Sequence, residues 1–354
     1  MDFIIIPRQP NCLFSTARLK LPMSLIVQPD IKGKTELACP SFSFLIEHPS
    51  GRKILFDLGV QKDWENMAPR IVNNIRSKGW TVTAEKHVVD ILKGNGLQPE
   101  EIEAIVWSHY HWDHTGNPAT FPSNTDLIVG PGFKGKFLPA WPKNPDSPLK
   151  ESYWEGRSLR EVSFPEENNG LKIGRFNAMD FFGDGSFYLL DTPGHAIGHM
   201  AGLARVTTSP DTFVFMGGDA CHHGGEFRPT KYKPLPAGFD PCPVQRFGSK
   251  CPGSLFQQIH PKKSADEPFY TPSEGFSYDT EQAEWTIRGI EEFDAHDNVL
   301  VAIAHEEAFL EVLNFFPKNL NDWKEKDLAT KSRWKFLKDF EQAIVEHERD
   351  GSSL

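Results

Sequence analysis

The chain predicts a layered α/β fold in a single domain, and three observations carry that expectation. Short apolar or alternating runs of strand length recur along the sequence. Longer runs with apolar residues at helical spacing lie between them. The two kinds stay interleaved throughout, with no internal repeat and no low-complexity tract. At 354 residues the chain can bury one large core or two modest ones.

The elements follow in order. The opening Met1-Asp2-Phe3-Ile4-Ile5-Ile6-Pro7 has a short apolar stretch without a basic flank or a small-residue cleavage site, so it reads as a first strand and not as a signal peptide. Further strands are expected at 41–47, 53–57, 104–108, 126–129, 187–191, 212–216 and 298–304. Helices are expected at 64–77 and 84–93, the second carrying Val88, Ile91 and Leu92 on one face. The clearest helical patterns, each an apolar stripe with charged flanks, run over 281–295 and 331–348. From 227 to 272 the chain is rich in Pro, Gly and Lys and has little periodicity, which predicts a lid-like insertion or, as the plainer alternative, a surface loop.

Composition excludes several classes. With 39% hydrophobic and 24% charged residues the chain reads as an ordinary soluble protein, and no apolar run approaches the roughly 20 residues that cross a bilayer. A cytoplasmic protein is expected. The net charge of −10 and scattered cations argue against nucleic acid as a partner, the nearest basic cluster being Pro261-Lys262-Lys263. The five cysteines include no CxxC pair, so neither a zinc knuckle nor a dithiol redox motif is supported. Cys242 and Cys251 are close enough to bridge, but a cytoplasmic chain is expected to keep them reduced. Core packing accounts for the amphipathic helices, so no oligomeric state is read from them.

The chemistry lies in Ser108-His109-Tyr110-His111-Trp112-Asp113-His114, directly after the apolar run 104–107. A strand end turning into a helix start can aim alternating side chains into one pocket, and imidazoles with a carboxylate suit zinc or another borderline divalent ion. Other strand ends supply more donors: His195 after the Pro193-Gly194 turn, Asp219 after the apolar run 213–216, and His305 after 299–304. Polar residues that end buried strands are favoured positions for α/β active sites.

The pattern HxHxDH at 109–114, followed by His195 in Thr192-Pro193-Gly194-His195, then Asp219 and His305, resembles the metallo-β-lactamase superfamily. Phe56-Asp57-Leu58-Gly59 is similar to that family's early strand-turn motif, whose Asp supports the metal loop. The resemblance implies a four-layered αββα sandwich with two divalent ions, zinc foremost, at one edge of its sheets. It implies that His109, His111 and His195 hold the first ion, that Asp113, His114 and His305 hold the second, and that Asp219 bridges both. His199 carries no such implied role and is expected to support a ligand or pack.

Within the superfamily the chain looks most like N-acyl homoserine lactonases and related fungal lactonases and lactamases. That likeness implies a hydrolase opening a small cyclic ester or amide through a metal-bridging hydroxide, with Asp113 as a ligand and proton shuttle. One position departs: where these lactonases often carry a Tyr three residues after the bridging Asp, this chain has His222, followed by His223. His222 or His223 is expected to donate to the substrate carbonyl in its place. Aromatics at Phe133, Phe137, Trp141, Tyr153, Phe227, Phe239 and Phe247, with Leu138, suggest an apolar substrate or, equally, packed loops. Two rivals remain. A thioesterase of the glyoxalase II kind would need basic residues near the C-terminus, for which Lys331, Arg333 and Lys335 are the candidates. A non-catalytic metal-binding protein would be expected to have lost ligands, whereas every position here is filled.

Overall fold

In a computed structural model, described over residues 2–6, 19–165 and 170–349, the interleaved strands assemble into two six-stranded sheets. The first contains β1 (Asp2–Ile6), β2 (Ser43–Glu47), β3 (Lys53–Phe56), β4 (Ala104–Val106), β5 (Asp126–Val129) and β6 (Leu159–Glu161) in that spatial order. Its first two pairings are antiparallel and the remaining three parallel. The second contains β7 (Lys172–Ile173), β8 (Phe176–Asp180), β9 (Phe187–Asp191), β10 (Met200–Thr208), β11 (Asp211–Met216) and β12 (Val299–Ala302), antiparallel except for the parallel β11–β12 pair.

Strand alternation sorts side chains into layers, because successive residues face opposite sides of a sheet. Phe44, Ile46, Ile54, Phe56, Val106 and Ile128 point inward and meet Leu189, Val214, Met216 and Leu300 of the second sheet. Their neighbours Leu45, Leu55, Ile105 and Leu127 point outward against the helix Val88–Gly94. On the far side, Phe215, Leu203 and Val301 are covered by Ile287, Ile290 and Phe293 of the helix Thr280–Asp294. These layers are the helix–sheet–sheet–helix sandwich expected from the sequence.

Several local expectations need correction. The 64–77 pattern is split: a 3-10 turn at Trp64–Asn66 stops before Pro69, which starts the helix Pro69–Ser77 at its first position, where a missing N–H costs nothing. The 331–348 pattern divides at Trp334 into Leu328–Arg333, a 3-10 stretch Lys335–Phe340 and Glu341–Arg349. Residues 227–272 are packed down by a core of their own. Leu235, Phe239, Val244 and Phe256 are buried with Phe336 and Phe340 in a satellite core. Cys242 and Cys251 are joined in a disulfide, contrary to the reduced state expected. The short ribbon Gly238–Phe239/Cys251–Pro252 brings their Cα atoms to 5.3 Å, within bridging range. Cys12 lies outside the described residues. No helix among the described residues is long and apolar enough to cross a membrane.

Candidate metal centre and its cavity

Strand direction gathers the site. β3, β4 and β5 run parallel, and β9, β11 and β12 share one direction, so each set ends at one edge of its sheet. The backbone bond from Met200 N to Ser108 O, 2.8 Å, ties the two sheets together at that edge. After β4 the chain turns through His109 and Tyr110 into a single helical turn, Trp112–Thr115, with His111 as its N-cap. Trp107 closes the loop by donating its indole N–H to Thr115 O at 3.0 Å.

Asp57 anchors that loop from β3. Its buried carboxylate accepts from Ser108 N and Ser108 Oγ, both at 2.7 Å, and from His114 Nδ1 at 2.8 Å. Burial raises its pKa even though His114 and Ser108 pull it down. The residue sits at φ +60°, a conformation that Asp and Asn tolerate better than most.

All seven side chains singled out from the sequence converge here. They form two sets, His109, His111, His195 and Asp219, and Asp113, His114, Asp219 and His305. Within each set the donor atoms lie within 4.8 Å of one another. Asp219 divides its two oxygens between the sets. Oδ2 lies 3.6 Å from His109 Nε2 and 3.5 Å from His195 Nε2. Oδ1 lies 2.9 Å from both His114 Nε2 and His305 Nε2. Asp113 Oδ2 is 3.6 Å from His305 Nε2.

Hydrogen bonding on the far side of each ring tests whether these groups suit a cation. His305 Nδ1 must donate to the Pro40 carbonyl at 2.5 Å, and His114 Nδ1 donates to Asp57. In a neutral imidazole, the other nitrogen then presents a lone pair to Asp219 Oδ1. Two acceptors at 2.9 Å repel unless a positive charge lies between them. His114 Nε2 and Asp219 Oδ1, though close, lack hydrogen-bond geometry, and among the described residues both are left without a partner, as is His109 Nε2. His195 Nε2 and His111 Nδ1 approach to 3.0 Å at the first set. Imidazoles oriented by carboxylate or carbonyl acceptors are the usual arrangement of metal-bound histidines. The donor set therefore fits a divalent ion.

Electrostatics agree. Burial holds His109 and His195 well below the usual histidine range and His111 at about 4, so all three are neutral and able to ligate. In the second set burial also works against charge on His114 and His305, but the Asp219 carboxylate overrides it and raises both, so with no ion between them a proton takes the place of the cation. Asp219 itself is lowered by His114, His305 and His222 against its own burial.

Of the two histidines expected to meet substrate, only His222 reaches the cavity. Its Nε2 is 3.3 Å from Asp219 Oδ2, and its backbone N–H donates to the buried Glu226 carboxylate at 2.5 Å. His223 points away: Nε2 meets Asp339 at 3.0 Å and Nδ1 accepts from Gly225 N. His199 supports Asp219, with Nδ1 bound to Thr192 and Nε2 accepting the Asp219 N–H at 3.1 Å.

A cavity of about 570 Å3 opens above the two sets. Tyr110, Trp112, Phe137 and Phe276 line it, with Trp80 stacked on Trp112 at 6.4 Å between centroids. Of the aromatics expected from the sequence only Phe137 is there, because Phe133 and Tyr153 pack on Trp107 and Phe227, Phe239 and Phe247 belong to other cores. No residue of 227–272 lines the cavity, although Phe276 just beyond it does. The basic residues a glutathione thioester would need are committed elsewhere. Arg333 pairs with Asp294, Lys335 pairs with Glu311, and Lys331 bonds the Lys326 carbonyl.

Residues 37–217 match the model of the metallo-beta-lactamase superfamily. The chain is 48% identical to the metallo-hydrolase mfmC of Annulohypoxylon moriforme over 92% of its own length and 85% of that protein's. It is 44% identical to the gamma-lactamase FDB1 of Fusarium pseudograminearum, over 90% of this chain and 79% of the relative. A solved structure of B. thuringiensis AiiA, with N-decanoyl-L-homoserine bound at its active site, covers 90% of this chain and 98% of its own at a TM-score of 0.58 and 19% identity, a likeness of fold. The chain belongs to the metallo-beta-lactamase superfamily. Within it, the chain is a metal-dependent hydrolase, the class in which its relatives are named.

Proposed function

We propose that this hydrolase opens the ring of a small-molecule lactone or lactam, using two zinc ions. His109, His111 and His195 would hold one, Asp113, His114 and His305 the other, and Asp219 would bridge them. The observation that carries this reading is the division of the Asp219 oxygens between two nitrogen-rich donor sets on the floor of an aromatic cavity. The gamma-lactamase relative supports the choice of a cyclic amide or ester. When bound, paired divalent ions supply Lewis acidity, lowering the pKa of water and polarising a carbonyl.

The chain's own residues do the rest. Asp113, with Oδ2 near His305, would carry a proton toward the leaving group. His222 lines the cavity beside Asp219 and is assigned as a donor to the substrate carbonyl. The aromatic walls exclude water and hold a flat ring over the floor. The test combines metal analysis with a hydrolysis screen of homoserine lactones, aromatic lactams and thioesters. Two zinc equivalents and turnover of a lactone or lactam are expected. His222→Ala should lower kcat/KM at least tenfold with metal content retained. Turnover confined to thioesters, or under one equivalent of metal with no turnover, would sink the reading.

A further inference from the structure

The floor of the cavity is explained by the proposed chemistry, but its mouth is not. Among the described residues the rim carries Arg70 and Lys136, both exposed, and a single carboxylate-bearing residue, Asp146. Two cations against one carboxylate form a locally positive entrance on a chain whose net charge is −10. Arg70 rises from the first turn of the helix Pro69–Ser77, and Lys136 comes from the separate turn Phe133–Phe137. Among the described residues neither forms an ion pair.

Arg70 is also held in place. Its Nη1 donates to the Asp146 backbone carbonyl at 2.7 Å, which fixes one corner of the guanidinium and, among the described residues, leaves the Nε–Nη2 edge without an acceptor. That edge has the fork geometry that takes a carboxylate through two parallel hydrogen bonds. The half-buried Tyr110 lines the same cavity as Arg70. Asn74, one turn along the helix, adds an amide to the same rim.

We propose that Arg70, assisted by Lys136, determines specificity by seating an anionic substituent of the substrate, a carboxylate or similar acid, at the end remote from the bond that is cleaved. The substrate is then an acidic cyclic ester or amide, with a flat apolar body along Trp80, Trp112 and Phe137. This rests on the hydrolase reading above. A positive entrance on an acidic protein also draws anions toward the site.

Two measurements on the metal-loaded protein separate this idea from the reaction itself. The first compares kcat/KM for dihydrocoumarin-6-carboxylate and unsubstituted dihydrocoumarin. The parent should favour the carboxylate at least tenfold, chiefly through KM. Arg70→Gln should shrink that ratio at least tenfold and Lys136→Gln by less. Lys143→Gln, which removes an exposed cation outside the cavity, should leave it unchanged. No preference in the parent, or a ratio untouched by Arg70→Gln, overturns the proposal. The second is calorimetric binding of naphthalene-2-sulfonate, a weak metal ligand, against 2-naphthamide. Arg70→Gln should weaken the sulfonate at least tenfold and shift the amide little. Equal sulfonate affinity in parent and variant overturns the anion seat even if both lactones are cleaved. Loss of sulfonate binding in the variant, with no lactone or lactam of the screen above cleaved by the parent, overturns the hydrolase reading instead.

Discussion

Asp57 meets neither substrate nor, in the assignment above, a metal, yet three donors of the histidine loop end on its carboxylate. Asp57→Asn keeps the shape and the tolerated positive φ, but it must turn an N–H toward at least one of those donors. The His114 ring would lose the acceptor that fixes its tautomer. Metal affinity is expected to fall about 10–100-fold, read by competition with a chromophoric chelator, with a stability loss of about 1–3 kcal/mol in denaturant melts. Unchanged affinity would show that Asp57 only braces the backbone. At this scale the site was largely legible, because metal ligands cluster in sequence and use few residue types. Arg70, Asn74 and Trp80 were not, since each is an ordinary member of a helical or loop pattern and only the fold brings them to one rim.

Elements carry the ligands through their ends, and the turn after β9 shows how narrow the tolerance is. Gly194 has φ +126°, and a Cβ there would lie 2.1 Å from Ala283 N at the start of the helix Thr280–Asp294. The same helix start is pinned to the turn by Asp279 N to Gly194 O at 2.9 Å and Thr286 Oγ1 to Pro193 O at 2.6 Å. Gly194→Ala must therefore push His195 away from its set, costing about 2–4 kcal/mol from backbone strain and overpacking together. Metal stoichiometry should drop with it. Gly96→Ala, at φ +85° with nothing within 4 Å of the added Cβ, is the control: strain of about 1 kcal/mol and full metal content. Equal metal content in both variants would mean that the turn yields without moving His195. The long strand Met200–Thr208 escaped the sequence reading for a related reason. Ala201, Gly202 and Ala204 give no strand signal, yet Phe187 and Met216 fill the space that a larger residue at Gly202 would need.

At the scale of the whole molecule, the proposed ligands come from both halves of the sandwich. His109, His111, Asp113 and His114 follow the first sheet's β4, while His195, Asp219 and His305 follow β9, β11 and β12 of the second. This division was readable in outline, because each ligand follows an apolar strand, but which strands share a sheet depends on pairing between distant segments. It has a thermodynamic consequence. Without a cation, the edge of the sandwich holds, among the described residues, Asp219 Oδ1, His109 Nε2 and His114 Nε2 with no hydrogen-bond partner, so the two sheets repel there or must take up protons. Ions bound between them stabilise the folded state in proportion to the logarithm of free metal, about 4 kcal/mol at a thousand times Kd. The melting temperature in buffered zinc should therefore rise steadily with free metal and drop by several degrees on chelation. Asp219→Asn, which weakens the shared ligand, should flatten that dependence while leaving the secondary structure intact by circular dichroism. A melting temperature indifferent to free metal in the parent protein would mean that no ion joins the two sheets, and the bridging role proposed for Asp219 would fall with it.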